Sequence, residues 1–146
     1  MTVDIVNKAP GKTLSTRRVK ETAQRILALL DLERAELSVA LVGNRQIREL
    51  NSRYRRKPEP TDVLSFALGK SFSGQAHMLG DVVISVDKAE EQAEQVGRTL
   101  KEEMDKLLIH GILHLLGYDH ERSRRDERIM QALERKLLRA LGDRKD

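Results

Sequence analysis

Residues 110–120 read His-Gly-Ile-Leu-His-Leu-Leu-Gly-Tyr-Asp-His and hold three of the chain's four histidines. His110 and His114 stand four apart, which on a helix places both imidazoles on one face, one turn from each other. Gly117 lets the chain turn, so that His120 returns to the same point. Three neutral imidazoles converging from a helix and its following turn form a tetrahedral zinc site with one position left for water or a substrate oxygen. Zinc, nickel, copper and iron all suit such a donor set, and zinc, one ion per chain, is the expectation. The ordinary alternative is three packing histidines, each bonded to a backbone carbonyl. Burying three imidazoles beside Leu107, Ile109 and Leu113 without a shared ligand is costly, which favours the metal. Asp119 and Glu121 flank His120, either as acceptors that orient it or as a solvated turn. With no cysteine in the chain, disulfides, thiolate metal sites, iron–sulfur clusters and cysteine nucleophiles are excluded together.

Zinc peptidases share this histidine spacing, but they carry a glutamate general base at the position that is Gly111 here. A peptidase would therefore lack its base. A glycine in mid-helix costs about 1 kcal/mol relative to alanine, which is tolerated where something approaches the backbone closely, another helix included. Arg53, Arg55, Arg56 and Lys57 place four cations in five positions, a phosphate-tracking edge or a solvated surface. Arg122, Arg124, Arg125 and Arg128 form a second basic stretch, interleaved with Glu121, Asp126 and Glu127, that reads first as a helix surface with paired charges. Asp62 reads as an Asx-type turn and Gly80-Asp81 as a bulge. His77 reads as an ordinary surface histidine in a loop.

The elements that must position these groups follow from periodicity. Residues 2–7 form an edge strand, and residues 15–30 an amphipathic helix with Val19, Ala23, Ile26, Leu27 and Leu30 inward. Residues 36–42 form a strand with Leu37, Val39 and Leu41 on one face, followed by a helix capped by Asn44 and carrying Ile47, Leu50 and Tyr54. Residues 61–66 form a short strand, residues 69–74 a loop, and residues 79–85 a strand buried on both faces. Residues 87–96 form a polar helix ended by Gly97. Thr99 and Glu102 form a capping box that starts the central, histidine-bearing helix. Residues 123–141 form a last helix with Ile129, Met130, Leu133, Leu137 and Leu138 inward. The order β-α-β-α-β-β-α-α-α predicts an α+β fold, a small mixed β-sheet covered by helices, as a single domain over residues 1–146.

Composition narrows the function. Hydrophobic residues make up 39% and charged residues 34% of the 146, the make-up of an ordered globular chain. No apolar run approaches the roughly 20 residues of a membrane span, and the first ten residues lack the layout of a secretory signal. A cytoplasmic protein without a membrane partner is expected. A net charge of +4 mildly favours a polyanionic partner. The only aromatic residues are Tyr54, Phe66, Phe72 and Tyr118, too few for a sheet that stacks RNA bases on exposed rings.

The histidine segment resembles the signature of the YbeY-type bacterial rRNA maturation factors, zinc-dependent, single-strand-specific endoribonucleases. Residues 50–55 (Leu-Asn-Ser-Arg-Tyr-Arg), 60–66 (Pro-Thr-Asp-Val-Leu-Ser-Phe) and 79–85 (Leu-Gly-Asp-Val-Val-Ile-Ser) are similar to the family's other segments in the same order. Pro58 and Ala67 depart from its pattern, and residues 1–49 offer no matching motif. The resemblance implies a helix-covered sheet with the metal in a cleft, zinc on His110, His114 and His120, and Arg55 at the scissile phosphate. It further implies cleavage of single-stranded RNA in maturation of the small-subunit 16S rRNA 3′ end and in ribosome quality control, with the small ribosomal subunit and assembly factors as partners. A planar guanidinium at position 55 suits that role, since it can hold two phosphoryl oxygens as negative charge gathers on them. The alternatives are a ribosome-assembly RNA-binding protein with a structural zinc and, less favoured, a zinc peptidase.

Overall fold

The computed structural model describes residues 2–9, 14–55, 61–67, 77–118 and 123–142, with the backbone alone described at Arg55, His77 and Met78. Four strands, β1 (Thr2–Asn7), β2 (Ala35–Val42), β3 (Val63–Ala67) and β4 (His77–Ser85), form one sheet in the order β1-β2-β4-β3. β1, β2 and β4 run parallel, and β3 is antiparallel to β4. Five helices cover the sheet: α1 (Thr16–Leu29), α2 (Asn44–Arg55), α3 (Val86–Val96), α4 (Leu100–Leu115) and α5 (Arg124–Gly142). The expected element order and the small mixed sheet are both present, with β1 at an edge.

Alternation in the strands divides the core in two. Leu37, Val39, Leu41, Val82 and Ile84 pack in one cluster with α1, α3, α4 and α5. Val42, Leu64 and Val83 meet Ile47 of α2 in a smaller cluster. The continuous apolar run Val82-Val83-Ile84 is thus buried on both faces, as a central strand requires.

Three local expectations need correction. Gly43, not Asn44, caps α2: its carbonyl accepts from Ile47 N–H at 3.1 Å, and its N–H donates to Gln46 Oε1 at 2.9 Å. Asn44 is taken up instead by the neighbouring helix start, donating its N–H to Asp87 Oδ2 and accepting from Ser85 Oγ. Ile129 does not face inward but is 45% exposed, because Met130 and Leu137 carry the buried stripe of α5. His77 is not in a loop; it opens β4 opposite Ala35.

A bulge is present one residue earlier than expected, at Leu79-Gly80, since Leu79 is skipped between the pairs Glu36↔Met78 and Leu37↔Gly80 while Asp81 pairs regularly with Ser38. Gly80 has φ +138°, and a Cβ there would overlap the carbonyl oxygen of Phe66 on β3. The loop reading of residues 69–74 lies outside the described residues.

Candidate metal centre

α4 is built to hold the two motif histidines against the sheet. Its first turn carries the expected capping box, with Thr99 Oγ1 accepting from Glu102 N–H at 3.1 Å and Glu102 Oε1 accepting from Thr99 N–H at 2.9 Å. Leu107, Leu108, Ile109, Ile112 and Leu113 are buried and fix the rotation of the helix about its axis. Gly111 brings the backbone close to the sheet: a Cβ there would stand 2.7 Å from Val82 Cγ1 and 3.3 Å from Val63 Cγ2. Ser65 Oγ closes this contact by donating to the Gly111 carbonyl at 2.9 Å. The close neighbour of Gly111 is therefore the sheet, and no helix.

Locked in this way, His110 and His114 lie side by side. Their ring centroids are 4.6 Å apart with 47° between the ring planes. Both are partly buried. His110 Nδ1 lies 3.2 Å from Glu134 Oε2 on α5, a partner that the sequence reading did not single out. Spacing alone could not have found it, since 24 residues separate the two; only the inward face of α5 on which Glu134 stands was legible. α4 ends as expected at Gly117, which has φ +96°, with Gly117 N–H donating to the His114 carbonyl at 3.0 Å.

His120, Asp119 and Glu121 lie outside the described residues, as do Arg56, Lys57 and Pro58. Among the described residues, no three His, Asp or Glu side chains gather as a metal site. Arg55 is the last residue of α2, and exposed Arg48 and Arg53 lie on the same helix. Tyr54 does not pack inward; it is 59% exposed and makes an edge contact with Phe66 at 5.3 Å between centroids. Asp62 is structural: its Oδ2 accepts from Gln92 Nε2 at 3.3 Å, and its carbonyl accepts from Ser85 N–H at 2.9 Å.

The family model described as Endoribonuclease YbeY matches residues 4–142. The chain belongs to the YbeY endoribonuclease family. Endoribonuclease YbeY of Aquifex aeolicus (strain VF5) is 48% identical over 138 residues, covering 94% of this chain and 91% of the relative. The protein of the same description from Sulfurihydrogenibium sp. (strain YO3AOP1) is 44% identical over 135 residues, 92% of this chain and 89% of the relative. The solution structure of TM1509 from Thermotoga maritima is 30% identical with a TM-score of 0.66, covering 94% of this chain and 87% of that one. The YbeY match takes in nearly all of residues 1–49, which carry no local motif of the family's chemistry. Within this family the peptidase alternative loses its footing twice. The relatives carry another description, and position 111 has no room for a catalytic glutamate between α4 and Val82. No helix among the described residues is long and apolar enough to cross a membrane.

Proposed function

We propose that this chain is a zinc-dependent endoribonuclease that cuts single-stranded RNA during ribosomal RNA maturation in the cytoplasm, working as one domain over residues 1–146. The small ribosomal subunit, its 16S rRNA 3′ end and assembly factors are the proposed surroundings. The observation that carries the reading is the paired rings of His110 and His114 on α4 in a chain of the YbeY family. The donor chemistry fits zinc: two imidazoles one turn apart, one of them held through its second nitrogen by a carboxylate. His110, His114 and His120 would hold the ion, one per chain. When bound, zinc supplies Lewis-acid polarisation of a phosphoryl oxygen. Arg55, at the end of α2, takes the other non-bridging phosphoryl oxygen through its planar guanidinium and sets the orientation of the scissile group. Arg48 and Arg53 track the flanking phosphates.

The test is zinc content and cleavage of a single-stranded RNA oligonucleotide, measured on tag-free wild type, His114→Ala and Arg55→Ala. The wild type should hold about one zinc and cut; His114→Ala should lose both properties. Arg55→Ala should keep zinc while cleavage falls about 100-fold or more. Cleavage that survives in zinc-free His114→Ala would refute the metal's role, and zinc loss in Arg55→Ala would remove Arg55 from substrate binding. Binding without cleavage at full zinc occupancy would favour the RNA-binding protein with a structural zinc. Cleavage of a 2′-deoxy counterpart at an equal rate would exclude the neighbouring 2′-hydroxyl as nucleophile.

A further inference from the structure

The buried face of α5 is apolar where it meets the rest of the molecule, with Met130 and Leu137 almost fully enclosed. Glu134 lies on that same face, four residues after Met130 and three before Leu137, which is a place for another apolar side chain. Its side chain is only 17% exposed, and its carboxylate partner among the described residues is the imidazole of His110, itself 28% exposed. The flanking cations Arg135 and Lys136 are exposed and point to solvent. A carboxylate in such a place is costly unless it is paired and hydrogen-bonded, and His110 is the group that meets it.

We infer that Glu134 is a positioning residue for His110, an inference that rests on the proposed zinc reading of the histidines. An ionised carboxylate can only accept a hydrogen bond, so the proton of neutral His110 resides on Nδ1 and the Nε2 lone pair is left for an ion. The contact also fixes the ring plane, and with it the angle between the His110 and His114 rings. Met130 and Leu137 anchor α5 on either side of the carboxylate, so its position is set by packing and not by a flexible surface chain. α5 thereby belongs to the site although it supplies none of the three histidines. Outer carboxylates of this kind typically contribute 10- to 100-fold in metal affinity.

The experiment measures zinc affinity of the full chain by competition with a chromophoric chelator, for wild type, Glu134→Ala and Glu134→Gln. It is paired with long-range 15N–1H spectra of the metal-free proteins, which report the His110 tautomer. Glu134→Ala should bind zinc about 10- to 100-fold more weakly, with His110 shifting toward the Nε2–H form. Glu134→Gln, which keeps the shape and an acceptor oxygen, should lose less affinity and retain the Nδ1–H form. If Glu134→Ala does not fold, the wild-type His110 tautomer decides: the Nδ1–H form is the expected result and the Nε2–H form overturns the inference. A folded Glu134→Ala with affinity within twofold of wild type, or a wild-type His110 protonated on Nε2, would overturn the inference. Wild type that holds no zinc would instead overturn the zinc reading, and the inference with it. The two failures are distinguished by the wild-type measurement alone.

Discussion

Gly111 shows how one missing side chain places a helix. Alanine is the better helix former by about 1 kcal/mol, so an exposed glycine here would be a simple defect. A Cβ at this position, however, would lie 2.7 and 3.2 Å from the two Cγ atoms of Val82, which is fully buried. Valine is stiff at χ1, so it cannot swing aside without moving β4. Overpacking of this kind costs about 1–3 kcal/mol, which outweighs the gain in propensity. Gly111→Ala should therefore lower stability by about 1–2 kcal/mol in urea denaturation. Combined with Val82→Ala, it should be less destabilising than the two single changes added together, because the second truncation removes the clash. A stabilised Gly111→Ala would mean that the close approach of α4 to the sheet is not a constraint. The same closeness leaves the Gly111 carbonyl to Ser65 Oγ, a bond that ties the histidine turn of α4 to β3.

α4 as an element is shaped by charges that its histidine motif does not announce. Glu103 is buried near its start, with Arg98 Nη1 at 3.3 Å from Oε1, and Asp105 is buried with Lys101 Nζ at 3.1 Å. Burial pushes the Asp105 carboxyl above its ordinary 3.8, against the opposing pull of Lys101. A folded-state pKa above the unfolded one means that the folded chain binds more protons in between, so stability falls as pH rises through the folded value. The penalty is fully present above that pKa and is relieved as pH drops toward 3.8. Asp105→Asn should hence be more stable than wild type at pH 7, the difference closing on acidification; Lys101 is half exposed and can be solvated alone. Urea midpoints between pH 3 and 7 would check this, and a less stable variant at pH 7 would show that the ion pair outweighs burial. Glu102 has the opposite sign: its bonds to Thr99 N–H and Oγ1 lower its pKa. Its contribution is present above the unfolded value and is lost as pH falls through the folded one. Thr99→Ala, which removes the cap, should lower the stability of the domain by about 1 kcal/mol, read from the thermal midpoint.

These elements also mark where the sequence could be read and where it could not. The capping box, the Gly117 stop and the two-faced strand β4 were legible, because each depends on neighbours within a few residues. The cap of α2 was misread by one residue, since Asn44 is a good cap by type but is claimed by Ser85 and Asp87, about 40 residues away. Glu134 was hidden for the same reason: its meaning comes from the docking of α5 on α4. Of the candidate site, the pairing of His110 and His114 could be read from spacing, whereas the return of His120 and the reach of Arg55 depend on residues beyond those described.

For the molecule as a whole, the proposed ion would join α4 to the turn that follows it. The large cluster already holds α1, α4 and α5 to one face of the sheet, with Leu116 and Tyr118 of that turn packed against it, and the contact of His110 with Glu134 adds a polar tie between α4 and α5. Zinc on His110, His114 and His120 would tie the end of α4 to that turn, and Glu134 would carry the tie into α5. An ion that binds the folded chain alone stabilises it by about 2.7 kcal/mol at 100 times its dissociation constant. For a domain of this size that corresponds to a thermal midpoint raised by roughly 8 °C. Removing zinc with a chelator should lower the midpoint of wild type by about this amount, and adding zinc back should restore it. His114→Ala should melt at one temperature with or without chelator, near that of the stripped wild type. A wild type indifferent to chelation, while holding zinc beforehand, would show that the folded and unfolded chains bind the ion alike. The histidines would then be an affinity site that contributes nothing to holding α4, the turn and α5 together.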